Sequence, residues 1–180
     1  MKYLASFCLA FAVLLLPVVA SAQTPASSPS PIDHIFVSGS ALAFNGPNGM
    51  TASSNFGAAL QLTPGLSTGY NQITIPSLNR TYRLGVVNYT RPLSSLVGKA
   101  LSSKFVFDLS QINATFQAGG GKVDQVAPNP VFSTVAETGG VFLSVPLANH
   151  VSATVVGVQY LHGGSNPSQV TLTTGLNFHF

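Results

Sequence analysis

The sequence predicts an all-β protein, a closed antiparallel up-and-down transmembrane β-barrel drawn with eight strands. Three observations lead there. The chain opens with an export segment, it carries very little charge and no later apolar run of helix-spanning length, and its apolar residues recur with period two.

Residues 1–22 read as a cleaved signal peptide. Lys2 supplies the positive start, Leu4 to Val19 the apolar stretch, and Ala20-Ser21-Ala22 the small residues of a cleavage site before Gln23. Pro17 and that triplet distinguish it from a membrane anchor, which needs about 20 apolar residues. Cys8, the only cysteine, lies inside this leader, behind Phe7 rather than the small residue of a lipoprotein signal. Disulfide and thiol chemistry therefore leave with the leader. Residues 23–31 (QTPASSPSP) form a flexible tail, and 32–180 the barrel domain.

Only 6% of the chain is charged, whereas roughly a quarter to a third is usual for a water-exposed surface. No basic run exists, which excludes the electrostatic footprint of a nucleic-acid binder. An exported, charge-poor chain without a spanning helix fits a barrel facing lipid, because only helices and closed barrels satisfy every backbone polar group in hydrocarbon.

Eight strands follow in order, at about 33–45, 51–63, 68–76, 80–90, 104–120, 131–146, 150–162 and 168–180. The second places Phe56, Ala58, Leu60 and Leu62 on one face, with Asn55, Gly57, Ala59 and Gln61 on the other. The fifth alternates Ile112, Ala114, Phe116 and Ala118 with Asn113, Thr115, Gln117 and Gly119. The eighth sets Val170, Leu172, Leu176, Phe178 and Phe180 against Thr171, Thr173, Gly175, Asn177 and His179. Gly, Pro and Asn clusters supply the joins, among them Asn45 to Gly49, Thr63-Pro64-Gly65, Leu147 to Asn149 and Gly163 to Pro167. Arg91 to Ser103 reads as a long connector or a short helix at the rim. An even strand number puts both termini on the periplasmic side. The outer loops, near 45–50, 77–79, 121–130 and 163–167, are all short.

Glu137 is the one acid inside a well-patterned strand, and strict alternation from Leu143 and Val145 would turn it toward lipid. A bulge at Gly139-Gly140 would turn it inward instead, where Arg83 is also expected, giving a lumenal Arg83–Glu137 pair. Two solvated charges near strand ends are the alternative. Tyr82, Tyr89, Tyr160, Phe132 and Phe178 are candidates for aromatic girdles at the membrane interfaces.

Residues 110–180 resemble the small outer-membrane β-barrel family related to the OmpA transmembrane domain and OmpX. The resemblance rests on Ala118-Gly-Gly-Gly121, Gly139-Gly140, the turn at Asn149-His150, Gln159-Tyr-Leu-His162 and the closing Gly175-Leu-Asn-Phe-His-Phe180. It implies an assembly signal at Leu176, Phe178 and Phe180, read by the barrel-assembly machinery. The partners expected are that machinery, periplasmic chaperones, and outer-membrane lipids with lipopolysaccharide, around a monomer in the bacterial outer membrane. Relatives often carry an Arg and an acid where Thr154 and Gln159 stand here, so their lumenal ion network is not implied for this chain.

His150-Val-Ser152 has the His-x-Ser spacing of lipid A deacylases, but the Ser-Asn-Ala continuation is missing and His150 falls at the periplasmic turn. His34, His162 and His179 have no metal-like spacing. Gly119-Gly-Gly121-Lys122 lacks the Walker spacing. The expectation is a structural barrel, or a narrow porin-like channel, with no catalytic, cofactor or metal residues. A soluble secreted β-barrel or sandwich binding module and a lipid A-modifying enzyme are the alternatives.

Overall fold

A computed structural model describes residues 34–44, 50–97, 108–125, 132–163 and 168–179. The strands are β1 (His34–Phe44), β2 (Met50–Thr63), β3 (Leu66–Ile75), β4 (Arg80–Pro92), β5 (Asn113–Gln125), β6 (Phe132–Ala148), β7 (Val151–Gly163) and β8 (Gln169–His179). Each pairs antiparallel with its sequence neighbours, and β8 pairs back onto β1, so the sheet closes. The fold class and the eight strands agree with the sequence reading. The leader, the tail, the loop at 45–49 and Phe180 lie outside the described residues.

One rim, called near, holds the Thr63–Leu66 turn, the β4–β5 connector and the Asn149-His150 turn. The other, far, rim holds the β3–β4 join. At the near rim Gly65 supplies a positive φ of 84°, where its carbonyl accepts from Thr90 N at 2.7 Å. The connector begins with a short helix, α1 (Leu93–Val97), as one reading of Arg91 to Ser103 anticipates. It ends in a 3-10 turn (Leu109–Gln111), whose first turn Asp108 caps by accepting from Ser110 N at 2.9 Å. Leu93 N donates to Ile112 O at 2.7 Å and ties the two ends together. At the far rim a 3-10 turn (Pro76–Leu78) and a left-handed Asn79 reverse the chain.

The fifth strand, expected at 104–120, runs instead from Asn113 to Gln125: the 3-10 turn at Leu109–Gln111 precedes it, and Gly119-Gly-Gly121 continues the ladder rather than ending it. Here β4 and β5 approach so closely that a Cβ on Gly119 or Gly121 would collide with the Gly85 or Arg83 carbonyl oxygen. The glycines are the condition for pairing.

The bulge expected at Gly139-Gly140 is also displaced. Those residues pair without interruption with Ala118 and Gln117 on β5 and with Tyr160 and Gln159 on β7. The register shift falls between Leu143 and Ser144 on the β7 side. The space above Gly140 and Gly157 is taken by the Phe142 ring, so these glycines make room for an aromatic side chain.

Gly121→Ala and Gly119→Ala should therefore open the β4–β5 ladder and cost more than the 1–3 kcal/mol, roughly, of ordinary overpacking. Gly85→Ala, whose Cβ would meet nothing nearer than 3.7 Å, should fold. Refolding yield in detergent micelles, followed by gel mobility, compares the three.

Candidate functional site: lumen, band and rims

The barrel offers three surfaces on which a function can reside. They are its interior, its lipid-facing band and its two rims, and alternation along each strand decides which side chains reach which.

The interior is divided by polarity. Toward the far rim Ile73, Ile75, Tyr82, Leu84, Val86, Val123, Ala136 and Leu161 form a buried apolar cluster, with Leu78 packed against it from the 3-10 turn. Toward the near rim the inward residues are mostly uncharged amides and hydroxyls, and on the β2 and β8 wall buried polar residues such as Ser53, Gln169 and Thr171 extend to the far rim. Gln159 Nε2 donates to Gln117 Oε1 at 2.9 Å and to Thr138 Oγ1 at 3.0 Å. Gln117 Nε2 donates to Asn88 Oδ1 at 2.9 Å, and Asn88 Nδ2 to Ser67 Oγ at 3.3 Å. This chain of bonds ties five strands together from inside. Thr154 and Gln159, which stand where relatives often carry charges, both prove to be buried. An amide network thus occupies the place of an ion network. The buried amides of Asn71 and Gln169 find no partner among the described residues, which makes them costly positions in this interior.

The expected Arg83–Glu137 lumenal pair is not formed. On β4 the inward residues are Tyr82, Leu84, Val86 and Asn88, and Arg83 projects outward, where it is ion-paired with Asp124. On β6 Ala136 and Thr138 are buried, while Glu137 between them is exposed. With Arg83 expected inward, the alternating apolar set of β4, Tyr82, Leu84 and Val86, would have faced lipid. It lies inside because a barrel this narrow fills its own interior, and the outward acid is tolerated because it stands near the far end of β6. For the same reason Tyr82 is no girdle residue: it is 1% exposed in the interior cluster, and Arg80 joins the inward row beyond it, donating Nε to Gln125 Oε1 at 3.0 Å. The Phe132 side chain lies outside the described residues.

The outward face carries the band. Phe56, Leu60, Tyr70, Val87, Tyr89, Phe116, Val141, Val156, Val158, Tyr160, Leu176 and Phe178 are all exposed, from β2 round to β8. Leu176 and Phe178 of the expected assembly signal share this face; Phe180 lies outside the described residues. Tyr89, Tyr160 and Phe178 stand outward as girdle candidates, with the Arg91 guanidinium 5.1 Å from the Tyr89 ring centroid.

The near rim gathers histidines. His34 is the register partner of His179, His150 Nδ1 donates to the His179 carbonyl at 3.0 Å, and His179 N donates to His150 O at 2.8 Å. The partner of Ser152 is not the His150 of the His-x-Ser spacing but His179, whose Nε2 lies 2.9 Å from Ser152 Oγ across the β7–β8 ladder. Sequence spacing could not show this, since strand register brings the two residues together. Among the described residues no group of three metal-ligating side chains is present.

Gln159→Leu should strand the acceptors of Gln117 and Thr138 and cost about 1–3 kcal/mol. Arg83→Ala, at a pair whose Arg side chain is 52% exposed, should cost no more than about 1 kcal/mol. Urea unfolding in micelles measures both.

No family model matches the chain, and no curated protein matches it in sequence. Solved structures do match. The N-terminal β-barrel domain of Pseudomonas aeruginosa OprF is similar at a TM-score of 0.60 and 9% identity, covering 85% of this chain and 100% of that one. Neisserial surface protein A matches at 0.52 and 12%, covering 86% and 100%, and a de novo designed transmembrane β-barrel at 0.52 and 12%, covering 86% and 99%. At such identities the likeness is one of fold, and the fold of this chain is that of the small transmembrane β-barrels.

Proposed function

We propose that this chain is an outer-membrane β-barrel with a structural role, anchored by its apolar band and closed to bulk diffusion by its own side chains. The observation that carries this reading is the pairing of a continuous exposed apolar band with a sheet that has no free edge. In water such a surface would drive aggregation; in a bilayer it is the solvated surface. A soluble binding module would need the opposite arrangement around this band.

An eight-stranded barrel leaves an interior about filled by side chains. Here the far half of that interior is occupied by the apolar cluster under Leu78. A wide pore is therefore not the function, and a narrow porin-like path is the finer alternative. A lipid A enzyme would need its nucleophile at the outer leaflet, the far rim in the expected orientation, whereas Ser152 sits at the near rim. The partners proposed are outer-membrane lipids, including lipopolysaccharide, and, during biogenesis, periplasmic chaperones and the assembly machinery reading Leu176, Phe178 and Phe180.

Fractionation into the outer membrane with heat-modifiable gel migration tests the location, and a purely soluble, non-shifting protein would overturn it. Planar bilayers should show no stable open channel; steady conductance would establish the narrow path instead. Val158→Arg, in the middle of the band, should impair insertion by about 2–4 kcal/mol, while deletion of Phe180 should lower assembly yield without changing the stability of the chain that does assemble.

A further inference from the structure

The charges that face outward on β4, β5 and β6 stand at the two ends of the apolar band. On β4 the outward row runs from the near rim as Arg91, Tyr89, Val87, Gly85 and then Arg83. On β5 it runs Phe116, Ala118, Gly120 and then Lys122 and Asp124. On β6 Val141 and Gly139 precede Glu137, and the exposed Val135 follows it beside Lys122. On β4 and β5 the apolar residues of the band thus give way to charges toward the far rim. At the same level the interior changes in the opposite sense, from amides to the apolar cluster. On the β3 to β7 side the barrel is therefore apolar outside and polar inside below this level, and has an apolar interior above it, while Asn55 on β2 and Gln169 on β8 keep the opposite wall polar. The level where the two arrangements meet is where hydrocarbon gives way to headgroups.

Two cations stand at that level. Arg83 and Lys122 are direct register partners across the β4–β5 ladder, and both are exposed on the outward face. Like charges placed opposite one another repel. Asp124 pairs with Arg83, but among the described residues Lys122 makes no hydrogen bond or ion pair, and the rest of the Arg83 fork remains available. We infer that Arg83 and Lys122 together hold a phosphate group of an anionic membrane lipid, which lies between them and relieves their repulsion. The inference rests on the membrane reading above. It adds to that reading the chemical group that is recognised and the two residues that hold it. Arg offers paired N–H donors to phosphate oxygens, and Lys a compact point charge. The nearby Glu137 opposes this binding and limits its strength.

The test uses the full mature chain folded into vesicles of phosphatidylcholine alone, of phosphatidylcholine with a glycolipid bearing phosphate monoesters, and of phosphatidylcholine with the same glycolipid after removal of its phosphates. The readout is the temperature at which the folded gel band is lost. The phosphorylated lipid should raise it by several degrees and the dephosphorylated lipid should not. Lys122→Gln, which breaks no contact in the fold, should remove most of that rise, Arg83→Gln with Lys122→Gln all of it, and Glu137→Gln should enlarge it. An equal rise in the wild type and the double variant, or with the dephosphorylated lipid, would overturn the inference. So would an equal rise from inorganic phosphate added to phosphatidylcholine vesicles, which would mean a free-anion site. Failure to insert into any vesicle would overturn the membrane reading as well.

Discussion

The rest of the structure depends on one pairing, that of β8 with β1. A sheet with an exposed apolar face in hydrocarbon cannot leave an edge, because each unpaired N–H or C=O there costs several kcal/mol or so. Closure removes both edges at once, but only if the strands coil tightly enough for the last to meet the first. The β4–β5 ladder shows how tightly: at Gly119 and Gly121 the partner strand's carbonyls occupy the space a Cβ would need. Residues on the far side of the barrel from the seam therefore help determine whether the seam can form. Closure also completes the near-rim group, since His179, which meets Ser152 across the β7–β8 ladder, stands opposite His34 on β1 only in a complete ring.

Closure in turn dictates the interior. Eight strands leave room for side chains and little else, so what points inward must pack or bond with itself. This chain does both, in different halves. The amide chain from Ser67 through Asn88, Gln117 and Gln159 to Thr138 avoids buried charge, and so avoids the desolvation that a lumenal ion network must overcome. The apolar cluster under Leu78 gives the far half a core of the kind found in soluble proteins.

How much of this was legible in the sequence follows from what alternation can and cannot say. Period two shows which residues share a face, and for β2 and β8 it assigned the faces correctly, because Asn, Thr and Gly opposed Leu and Phe. On β4 both rows were ambiguous. Tyr82, Leu84 and Val86 looked lipid-facing, yet they fill the interior, and Arg83 went outward with the register. Apolarity marks a face without naming its side when the interior is itself apolar at that height. Glu137 failed for the same reason, since an outward acid is costly only within the hydrocarbon and β6 extends past it. The extent of β5 was hidden because three consecutive glycines look like a strand end, and only the neighbouring backbone shows why the strand needs them. The Ser152–His179 contact had no local signal at all.

The inversion of polarity along the barrel also explains how so few charges suffice. A uniformly membrane-like barrel would need none on its outer face, and a uniformly soluble one would need many. Here Arg83, Lys122, Asp124 and Glu137 stand outward beside Tyr82, Leu84, Val123 and Ala136 of the apolar cluster, and Arg91 stands at the opposite, near, rim. Shifting the barrel into the bilayer would drag these charges into hydrocarbon, and shifting it out would expose Val87, Phe116 and Val158 to water. Both displacements are opposed, so the boundary is fixed by the strands themselves. In the proposed membrane setting, the charged far end and the apolar band are thus two parts of one positioning device, with the lumenal cluster as the core that would let the far end stand outside the membrane.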